Sequence, residues 1–479
     1  MPQTPAFRIK ATALSVVLAL AGCAQLPASE QASQMKAPDA LRADRALAGP
    51  QADWPTDTWW TAYGDAQLNA LIDEAFAGAP DLAVAAARLR QAEAVTEVTG
   101  AANKPQVNAN VQITEQKLSY NYLYPKDYSP SGWTDYGTAT LDFNWQLDFW
   151  GRNRAALASA TSQLDAARAE QAQTRLTLAA GVASAYAELN RLFEARDVAK
   201  QSVEVRSKTA QLFAERFANG LETRGSVKEA ETNRAVAEGN LLQIEEAIGL
   251  QRHRIAALIG AGPDRGEAIQ QPHLKIDHGF GLPANLPANL IGRRPDIVAA
   301  RLQAEAQSHR VDQKQADFYP NISLTAMFGW QAIGVDMLRR SGSDMGSIGP
   351  AISLPIFSGG RLRGELRNAR AGYDEAVANY NATLTRALQD VADSALSQRA
   401  LQARLDKANE AYQASTEAYR VARNRYEGGL ATYLEVLSAE NGMLNSLNAL
   451  SELRARAFTL DIALKRALGG GYQASNDQT

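Results

Sequence analysis

The sequence predicts an α+β membrane protein built from two internal repeats, each with a pair of long strands and very long helices. Three observations lead to this fold class. The stretch "LDFNWQLDFWG" at residues 141–151 alternates apolar and polar residues with period two, as a strand does. Segments from the two halves of the chain align at a constant offset, and two helical stretches of unusual length contain no proline.

The bulk composition excludes some classes of protein. The chain has 479 residues, a formal net charge of −3 and 46% hydrophobic residues. These values indicate neither nucleic-acid binding nor disorder, and they are compatible with two or three ordinary domains.

The single cysteine, Cys23, ends an export signal. Two basic residues precede an apolar stretch at residues 11–21, which is too short to span a bilayer as a helix, and small residues lead up to Cys23. This arrangement resembles a bacterial lipoprotein signal. The resemblance implies that residues 1–22 are removed, that Cys23 becomes the acylated first residue, and that Ala24 directs the protein to the outer membrane. An ordinary signal peptide with an incidental thiol is the alternative.

The alternating stretch extends upstream to Thr138 and gives the predicted strand two distinct faces. The apolar face consists of Leu141, Phe143, Trp145, Leu147 and Phe149, and the polar face consists of Asp142, Asn144, Gln146 and Asp148. Further strands are predicted at residues 106–116, 321–332 and 347–357. Each is long enough to cross a bilayer, for which roughly 9 to 11 tilted residues suffice. For one such strand taken alone, the alternative to a membrane strand is a strand of a soluble sheet whose apolar face covers a core.

Two parts of the chain are copies of each other. Residues 216–231 align with residues 425–440 at an offset of 209 positions, and the aligned pairs include Gly220 with Gly429. The same offset pairs the glycine-arginine steps that precede the two long helices. The aligned segments occur in the same order in both halves, so the chain is predicted to contain one unit twice. The order of elements in each copy is helix, strand, strand, long helix, turn, helix.

The predicted helices are too long for a compact soluble domain. The stretch from Arg152 to about Ala218 has no proline, and at about 1.5 Å per residue it spans on the order of 100 Å. The stretch from Arg361 to about Glu427 repeats it. Such helices bury a narrow stripe against a neighbour and leave their wide faces in water.

Four strands cannot close into a membrane barrel, for which about eight strands is the lower limit, and an open edge leaves backbone groups unpaired in lipid. The chain is therefore predicted to oligomerise. Two copies give eight strands with a filled interior, whereas three give twelve strands around a wider, water-filled lumen. The trimer better suits a lumen lined by Asp142, Asn144 and Asp148, with the apolar face against lipid. The aromatic residues of the loop after the first strand are placed at the headgroup level: Tyr120, Tyr122, Tyr124, Tyr128 and Trp133.

Four motifs together resemble the outer-membrane factor family, the TolC-like channels, in its lipid-anchored NodT/OprM branch. They are "WWTAYGDAQLNALIDEAF" at 59–76, "RRPDIVAARLQAEA" at 293–306, "FYPNISL" at 318–324 and "RALGGGY" at 466–472. The resemblance covers nearly the whole mature chain. It implies a trimer with a shared twelve-stranded outer-membrane barrel and a long periplasmic barrel of helices. It also implies a passive exit duct of a tripartite, RND-type efflux system, with a periplasmic adaptor (membrane fusion protein) and an inner-membrane transporter as partners.

These features predict a lipid-anchored outer-membrane protein that extends into the periplasm. Its predicted parts are a signal peptide at 1–22, an acylated linker at 23–60, a first repeat at 61–260, an equatorial linker at 261–287, a second repeat at 288–470 and a C-terminal tail at 471–479. The substrate is not encoded in a recognisable way, because a wide passive duct has no selective pocket.

The turns that end the long helices are the predicted docking surface. Gly220 and Gly429 each stand where a left-handed residue reverses the chain. The resemblance implies that these tips meet the helical hairpin of the adaptor. The candidate docking residues are those shared by the two turns: Gly220, Leu221, Thr223, Gly429, Leu430 and Thr432. Capping glycines without a partner are the alternative.

A duct that is open at rest would leak, so its periplasmic end is predicted to narrow. At the common offset, Leu434 and Glu435 replace Gly225 and Ser226, so the second turn alone offers bulk and charge. The resemblance places the constriction of the family at Leu434, Glu435, Ser438 and Asn441. At the last two positions relatives commonly carry aspartate or arginine, so closure is assigned to packing of Leu434 with help from the Glu435 carboxylates. Ordinary helix packing of Leu434 is the alternative.

No motif for catalysis or cofactor binding is recognised in the sequence. The four histidines lie at no metal-ligand spacing, and no phosphate loop, dinucleotide fingerprint or nucleophile elbow is found. Neither an enzyme nor a cofactor is predicted. Two alternative functions stay open: the outer-membrane duct of a type I protein exporter and, from a different class, a structural trimeric envelope anchor. The lipid anchor favours small-molecule efflux, because the protein exporters of the family usually lack it.

Overall fold

The computed structural model describes residues 33–43, 45–121, 126–128, 130–276 and 279–474. The predicted signal peptide at residues 1–22 and the predicted lipidation site Cys23 lie outside the described residues, as do Tyr122 and Tyr124. Within the described parts of the chain, every helix is too short or too polar to be a membrane span.

The elements of the first repeat follow the predicted order. They are helices α1 (Ala66–Gly78) and α2 (Pro80–Ala101), strands β1 (Gln106–Gln116) and β2 (Thr134–Leu147), and helices α3 (Arg152–Ala218) and α4 (Arg224–Leu258). Two short helices follow, α5 (Pro263–Glu267) and α6 (Leu286–Arg293). The second repeat comprises α7 (Pro295–Ala316), β3 (Asn321–Ile333), β4 (Asp344–Ser353), α8 (Arg361–Glu427) and α9 (Tyr433–Ala467).

The two repeats match in the lengths of their helices, which confirms the predicted duplication. Helices α2 and α7 each contain 22 residues, α3 and α8 each contain 67, and α4 and α9 each contain 35. The predicted ends of the long helices, at about Ala218 and about Glu427, are also confirmed. Alanine, glutamate, glutamine and arginine, which lose little conformational freedom in a helix, dominate these stretches.

The four strands form one antiparallel sheet in the order β1-β2-β3-β4, so the two repeats join through β2 and β3. Residues that stand opposite one another lie on the same face of a sheet. One row across the sheet is Val107, Phe143, Ala326 and Ile348, and the next row is Asn108, Asp142, Met327 and Ser347. The register therefore assembles one apolar and one largely polar face from all four strands.

The end of β2 corrects one prediction. The strand ends at Leu147, whereas the alternation suggested that it continues to about Phe149. The carboxylate of Asp148 accepts hydrogen bonds from the backbone N–H groups of Asn153 at 3.2 Å and Arg154 at 2.8 Å, at the start of α3. The prediction that Asp148 lies on the polar face of the strand was wrong, because this side chain caps a helix instead.

The other strands agree with the sequence pattern or differ by a few residues. β1 has the predicted bounds, and β3 is one residue longer than predicted. β4 runs from Asp344 to Ser353, whereas residues 347–357 were predicted. Pro355 has no N–H group for a sheet ladder, so the apolar residues around it do not extend the strand.

The chain divides into two compact units. Among the described residues, one consists of parts of 33–35, 89–166 and 300–380 and includes the sheet, and the other consists of parts of 36–88, 167–299 and 381–474. In the second unit the motif at 59–76 builds a core. Asp65 caps α1 by accepting from the N–H groups of Gln67 and Leu68, and the hydroxyl of buried Tyr63 donates to Asp461 at 2.8 Å.

The "RALGGGY" ending packs closely within the second unit. Gly469 has a φ of +86°, and a side chain there would collide with the carbonyl oxygen of Arg293. The neighbouring Arg294 is buried and pairs with Asp296 at 2.7 Å and Asp390 at 3.1 Å. The glycines therefore let the end of the second repeat approach the start of that repeat closely.

Candidate functional site

The first turn, residues 219–223, joins α3 to α4 with a glycine-based helix cap. Gly220 has a φ of +72°, the N–H of Leu221 donates to the carbonyl of Arg216 at 2.8 Å, and the N–H of Gly220 donates to the carbonyl of Phe217 at 2.9 Å. These two bonds define a Schellman motif. Thr223 then caps α4, because its hydroxyl accepts from the N–H of Ser226 at 3.2 Å.

The second turn, residues 428–432, repeats this geometry between α8 and α9. Gly429 has a φ of +73°, and the N–H of Leu430 donates to the carbonyl of Arg425 at 2.7 Å. Thr432 and Glu435 form a capping box at the start of α9, in which the N–H of Thr432 donates to Glu435 at 3.0 Å. The duplicated sequence thus gives two matching reversals of the chain.

A buried cluster of side chains joins the two turns. This tip cluster consists of Ala210, Phe213, Val227, Ala230, Tyr426 and Val436, with side chains from all four helices. Phe213 is 0% exposed, and its ring lies 5.3 Å from that of Tyr426 and 4.5 Å from that of Tyr433, both edge to face. Edge-to-face aromatic pairs add about 0.5–1.5 kcal/mol to the burial of their area. The helix ends of the two repeats are therefore held together by packing.

One polar contact crosses the same junction. The hydroxyl of Tyr426 donates to the carboxylate of Glu222 at 2.6 Å, and the guanidinium of Arg216 lies 4.6 Å from the centre of the Tyr426 ring. Burial, together with the bond to Glu222, raises the pKa of Tyr426. Burial opposes ionisation of Glu222, but hydrogen bonds from Tyr426, Thr223 and Ser226 outweigh it and lower the pKa of that carboxyl. The phenol therefore donates to an ionised carboxylate at neutral pH.

Sequence reasoning missed this pair. The repeat alignment pairs Tyr426 with Phe217. The one sequence signal for the contact was that the second copy carries a hydroxyl group at this position and the first copy does not. Tyr426 is 3% exposed, whereas Phe217 is 45% exposed. The two copies therefore use equivalent aromatic positions differently.

A second contact between the repeats lies next to the tip cluster. Glu440 on α9 is 1% exposed; it accepts a hydrogen bond from the hydroxyl of Thr209 at 2.8 Å and lies 3.9 Å from Arg206. Arg206 also donates to the side chain of Asn441 at 3.0 Å. Burial raises the pKa of Glu440, although Thr209 and Arg206 act in the opposite direction.

The four predicted gate residues fall into two groups. Leu434 is 70% exposed and Ser438, one helical turn further along α9, is also exposed. Glu435 is held by Thr432 and lies 3.5 Å from Arg425, and these contacts lower the pKa of its carboxyl. Asn441 is held by Arg206. The structure therefore presents Leu434 and Ser438 on an exposed face, whereas Glu435 and Asn441 have partners within the chain.

The predicted docking residues lie around the two turns. Leu221 and Leu430 are 65% and 74% exposed, and each directly follows the left-handed glycine of its turn. Thr223 and Thr432 stand at the equivalent starts of α4 and α9. Their backbone positions are fixed by helix caps, so the exposed leucines are presented on rigid turns.

The strand residues predicted to face a lumen are separated by the structure. Asp142 and Asn144 lie on the polar face of β2, opposite Met327 and Thr325 of β3. Asp148, as shown above, lies beyond the strand. Among the described residues, no group of three or more histidine, cysteine, aspartate or glutamate side chains is arranged to hold a metal ion.

Comparisons with known proteins match this architecture. The sequence matches the family of outer membrane efflux proteins over residues 71–261 and 286–470. The chain belongs to the outer membrane efflux protein family. The fusaric acid resistance protein FusA of Burkholderia cepacia is 38% identical over 377 residues, which cover 77% of this chain and 71% of that protein. The multidrug resistance outer membrane protein MdtP of Escherichia coli K12 is 30% identical over 462 residues, which cover 95% and 94% of the two chains.

A solved structure supports the same assignment. The outer membrane protein VceC of Vibrio cholerae superposes with a TM-score of 0.84 at 48% identity, over 88% of this chain and 100% of that chain. The fold class predicted from the sequence, that of a TolC-like channel chain, is thereby confirmed. The role predicted for this outer membrane efflux protein, as the outer-membrane channel component of an efflux system, is confirmed as well.

Proposed function

We propose that three copies of the chain form the exit duct of a tripartite pump for small molecules, and that the two turns close this duct at rest and bind a periplasmic adaptor. The observation that carries the proposal is a group of exposed leucines around a fully packed junction. Leu221, Leu430 and Leu434 are 65%, 74% and 70% exposed, although Phe213 in the tip cluster is 0% exposed. Large apolar side chains exposed at and beside rigid turns suit a contact surface.

The edges of the sheet support the trimer. Within the four strands, all of whose residues are described, β1 and β4 each pair on one side. A free edge is not tolerated in lipid, so further copies must supply the missing pairs, and three copies give twelve strands around a water-filled lumen. Phe217 is consistent with such a ring. It is the exposed equivalent of buried Tyr426, so it is available for contact with another copy.

The matching geometry of the two turns supports a partner that repeats the same contact. Leu221 and Leu430 occupy equivalent positions after Gly220 and Gly429, so a trimer offers six similar sites. A helical hairpin of the adaptor with an apolar stripe could pack against the exposed leucine of each turn, beside the capped helix ends. The inner-membrane transporter would then be reached through this adaptor.

The exposed face of α9 supports a gate. On a threefold axis, Leu434 of one copy would meet Leu434 of the other two, and Ser438 one turn further would add no bulk. Glu435 and Asn441 keep α9 in place through Thr432 and Arg206. We assign closure to Leu434, whereas the hydrogen bond between Tyr426 and Glu222 holds the two repeats together in the closed state.

The relatives support small molecules as substrates. FusA is named for resistance to fusaric acid and MdtP for multidrug resistance, which favours small-molecule efflux over protein export. The lipid anchor at Cys23 is part of the proposal, and it would fix the mature N-terminus in the membrane without itself forming a passage.

Complementation tests the proposal. The gene is expressed, together with a suitable adaptor and transporter, in a strain that lacks its own outer-membrane channel, and drug resistance and trimer content are measured. Leu221→Asp with Leu430→Asp should abolish resistance while heat-resistant trimers persist in the outer membrane. Tyr128→Asp, a change at an 82% exposed residue of the loop between β1 and β2, is the matched control and should leave resistance intact. Full resistance in the leucine double variant would rule out docking at the turns.

A further inference from the structure

The polar face of the sheet carries one charged side chain. By the strand pairing, its residues are Gln106, Asn108, Asn110, Gln112, Thr114 and Gln116 of β1; Thr134, Tyr136, Thr138, Thr140, Asp142, Asn144 and Gln146 of β2; Asn321, Ser323, Thr325, Met327, Gly329, Gln331 and Ile333 of β3; and Met345, Ser347, Gly349, Ala351 and Ser353 of β4. Every residue of the four strands is described, so Asp142 is the single carboxylate on this face, and it meets no basic residue there.

The other carboxylates of the strands lie on the opposite face. Glu115 pairs with Asp135, and Asp344 pairs with Trp330. All three stand at the same end of the sheet, where β1 and β3 end and β2 and β4 begin. Asp142 differs from them because it lies on the polar face and in the interior of its strand, β2, which runs from Thr134 to Leu147.

Two neighbours hold the Asp142 carboxylate on the polar face. The side-chain amide of Asn110 donates to it at 2.7 Å, and the hydroxyl of Thr140 donates to the same oxygen at 2.8 Å. Asn110 and Thr140 stand directly opposite each other in the register of β1 and β2. Both donors are neutral, so they orient the charge without cancelling it.

We infer that Asp142 gives the duct a preference for cations over anions. The inference rests on the trimer proposed above, in which three copies place three carboxylates at one level of the lumen. A ring of fixed negative charge in a pore attracts cations and repels anions. Small cations would therefore pass more readily than anions of equal size.

The salt concentration decides how strongly such a ring acts. The screening length is about 10 Å at 0.1 M ionic strength and about 30 Å at 0.01 M. A twelve-stranded barrel has a wide lumen, so the field of the ring covers the lumen at low salt and is screened near the wall at high salt. The preference is thus expected to grow as the salt concentration falls.

Reversal potentials in planar bilayers test the inference. Purified trimers are placed in a potassium chloride gradient at low mean concentration, and the reversal potential gives the ratio of potassium to chloride permeability. The wild type should favour potassium, Asp142→Asn should lower that preference, and Asp142→Lys should lower it further. Asn at this position keeps the size of the side chain and one acceptor oxygen. Asp344→Asn, which removes a carboxylate from the opposite face, is the matched control and should leave the ratio unchanged.

Two results would overturn the inference, and they separate it from the proposed function. If Asp142→Asn conducts like the wild type and keeps the same reversal potential, the ring does not set ion preference, and the duct stands. If trimers of the gate variant Leu434→Ala insert but carry no current under any voltage, the duct itself fails, and the inference fails with it. An equal loss of preference in Asp142→Asn and Asp344→Asn would show that total charge acts, and not the ring.

Discussion

Tyr426 of the second repeat donates a 2.6 Å hydrogen bond to Glu222 of the first turn, and this contact ties the helix ends of the two repeats together. The pair stands at the rim of the tip cluster, where Tyr426 also packs edge to face on Phe213. A hydrogen bond to a charged group contributes about 1.5–3 kcal/mol, and the lower end applies here because Glu222 is partly exposed. The bond is therefore strong enough to bias the proposed gate, yet weak enough for the proposed adaptor to replace it.

Tyr426→Phe should favour the open state of the duct. The variant keeps the ring that packs on Phe213 and removes the hydroxyl that reaches Glu222, so packing survives while the polar contact is lost. A loss of about 1.5 kcal/mol per copy shifts a gate equilibrium roughly tenfold. Single-channel recordings should show longer openings, and Tyr128→Phe, in an exposed loop, serves as the control. Unchanged opening in Tyr426→Phe would assign closure to packing alone.

The two faces of β2 should respond oppositely to a positive charge. An arginine at mid-bilayer on the lipid face of a barrel costs roughly 2 to 4 kcal/mol, whereas a water-filled lumen accepts it. Leu141→Arg should therefore reduce assembly, and Asn144→Arg should not. The yield of heat-resistant trimers on gels is the measurement. Equal yields from both variants would show that the faces are assigned the wrong way round.

The sequence predicted regular elements well because their patterns are local. Period two placed β1 and the body of β2, and the absence of proline placed both long helices. Asp148 was misplaced because a helix cap directly after a strand can continue the alternation by chance. Only the three-dimensional contact shows the difference.

The candidate site was only partly predictable, because the repeats diverge in their contacts. The alignment located Gly220 and Gly429, since a left-handed position demands glycine. It treated Phe217 and Tyr426 as equivalent, although one is exposed and the other is buried. Burial of Tyr426 depends on Phe213, more than 200 positions away in the chain, and no local pattern reports such a contact.

Glu440 should make the stability of the helix ends depend on pH. Its pKa is raised in the folded chain, chiefly by burial, so the folded state favours the protonated carboxyl. That stabilisation is fully present below the unfolded pKa and is lost as pH rises through the folded pKa. The groups that face Glu440 are Arg206 and Thr209 on α3, Tyr419 on α8 and Tyr433 on α9.

Glu440→Gln should therefore remove this contribution. The neutral amide still accepts a hydrogen bond from Thr209, and it has no charge to bury. In thermal unfolding of purified trimers, the Tm of the variant relative to that of the wild type should be higher at pH 7 than at pH 4. Glu204→Gln, at an exposed carboxylate of the same helix pair, is the control. An equal pH dependence in the wild type and Glu440→Gln would assign the effect to other groups.

Leu434→Ala should widen the closed end of the duct. Leu434 is 70% exposed near the start of α9, and its capping neighbour Glu435 is held by Thr432, so the leucine can be shortened without disturbing the cap. Alanine is the best helix former, and α9 should persist. Single-channel conductance should rise, and cells that carry the variant should become sensitive to large antibiotics such as vancomycin.

Leu242→Ala, at a 67% exposed leucine of α4, removes the same atoms away from the proposed gate and should change neither the conductance nor the antibiotic sensitivity. If Leu434→Ala keeps wild-type conductance while Tyr426→Phe opens the duct, the constriction lies at another level of the helices and Leu434 is a docking residue like Leu430.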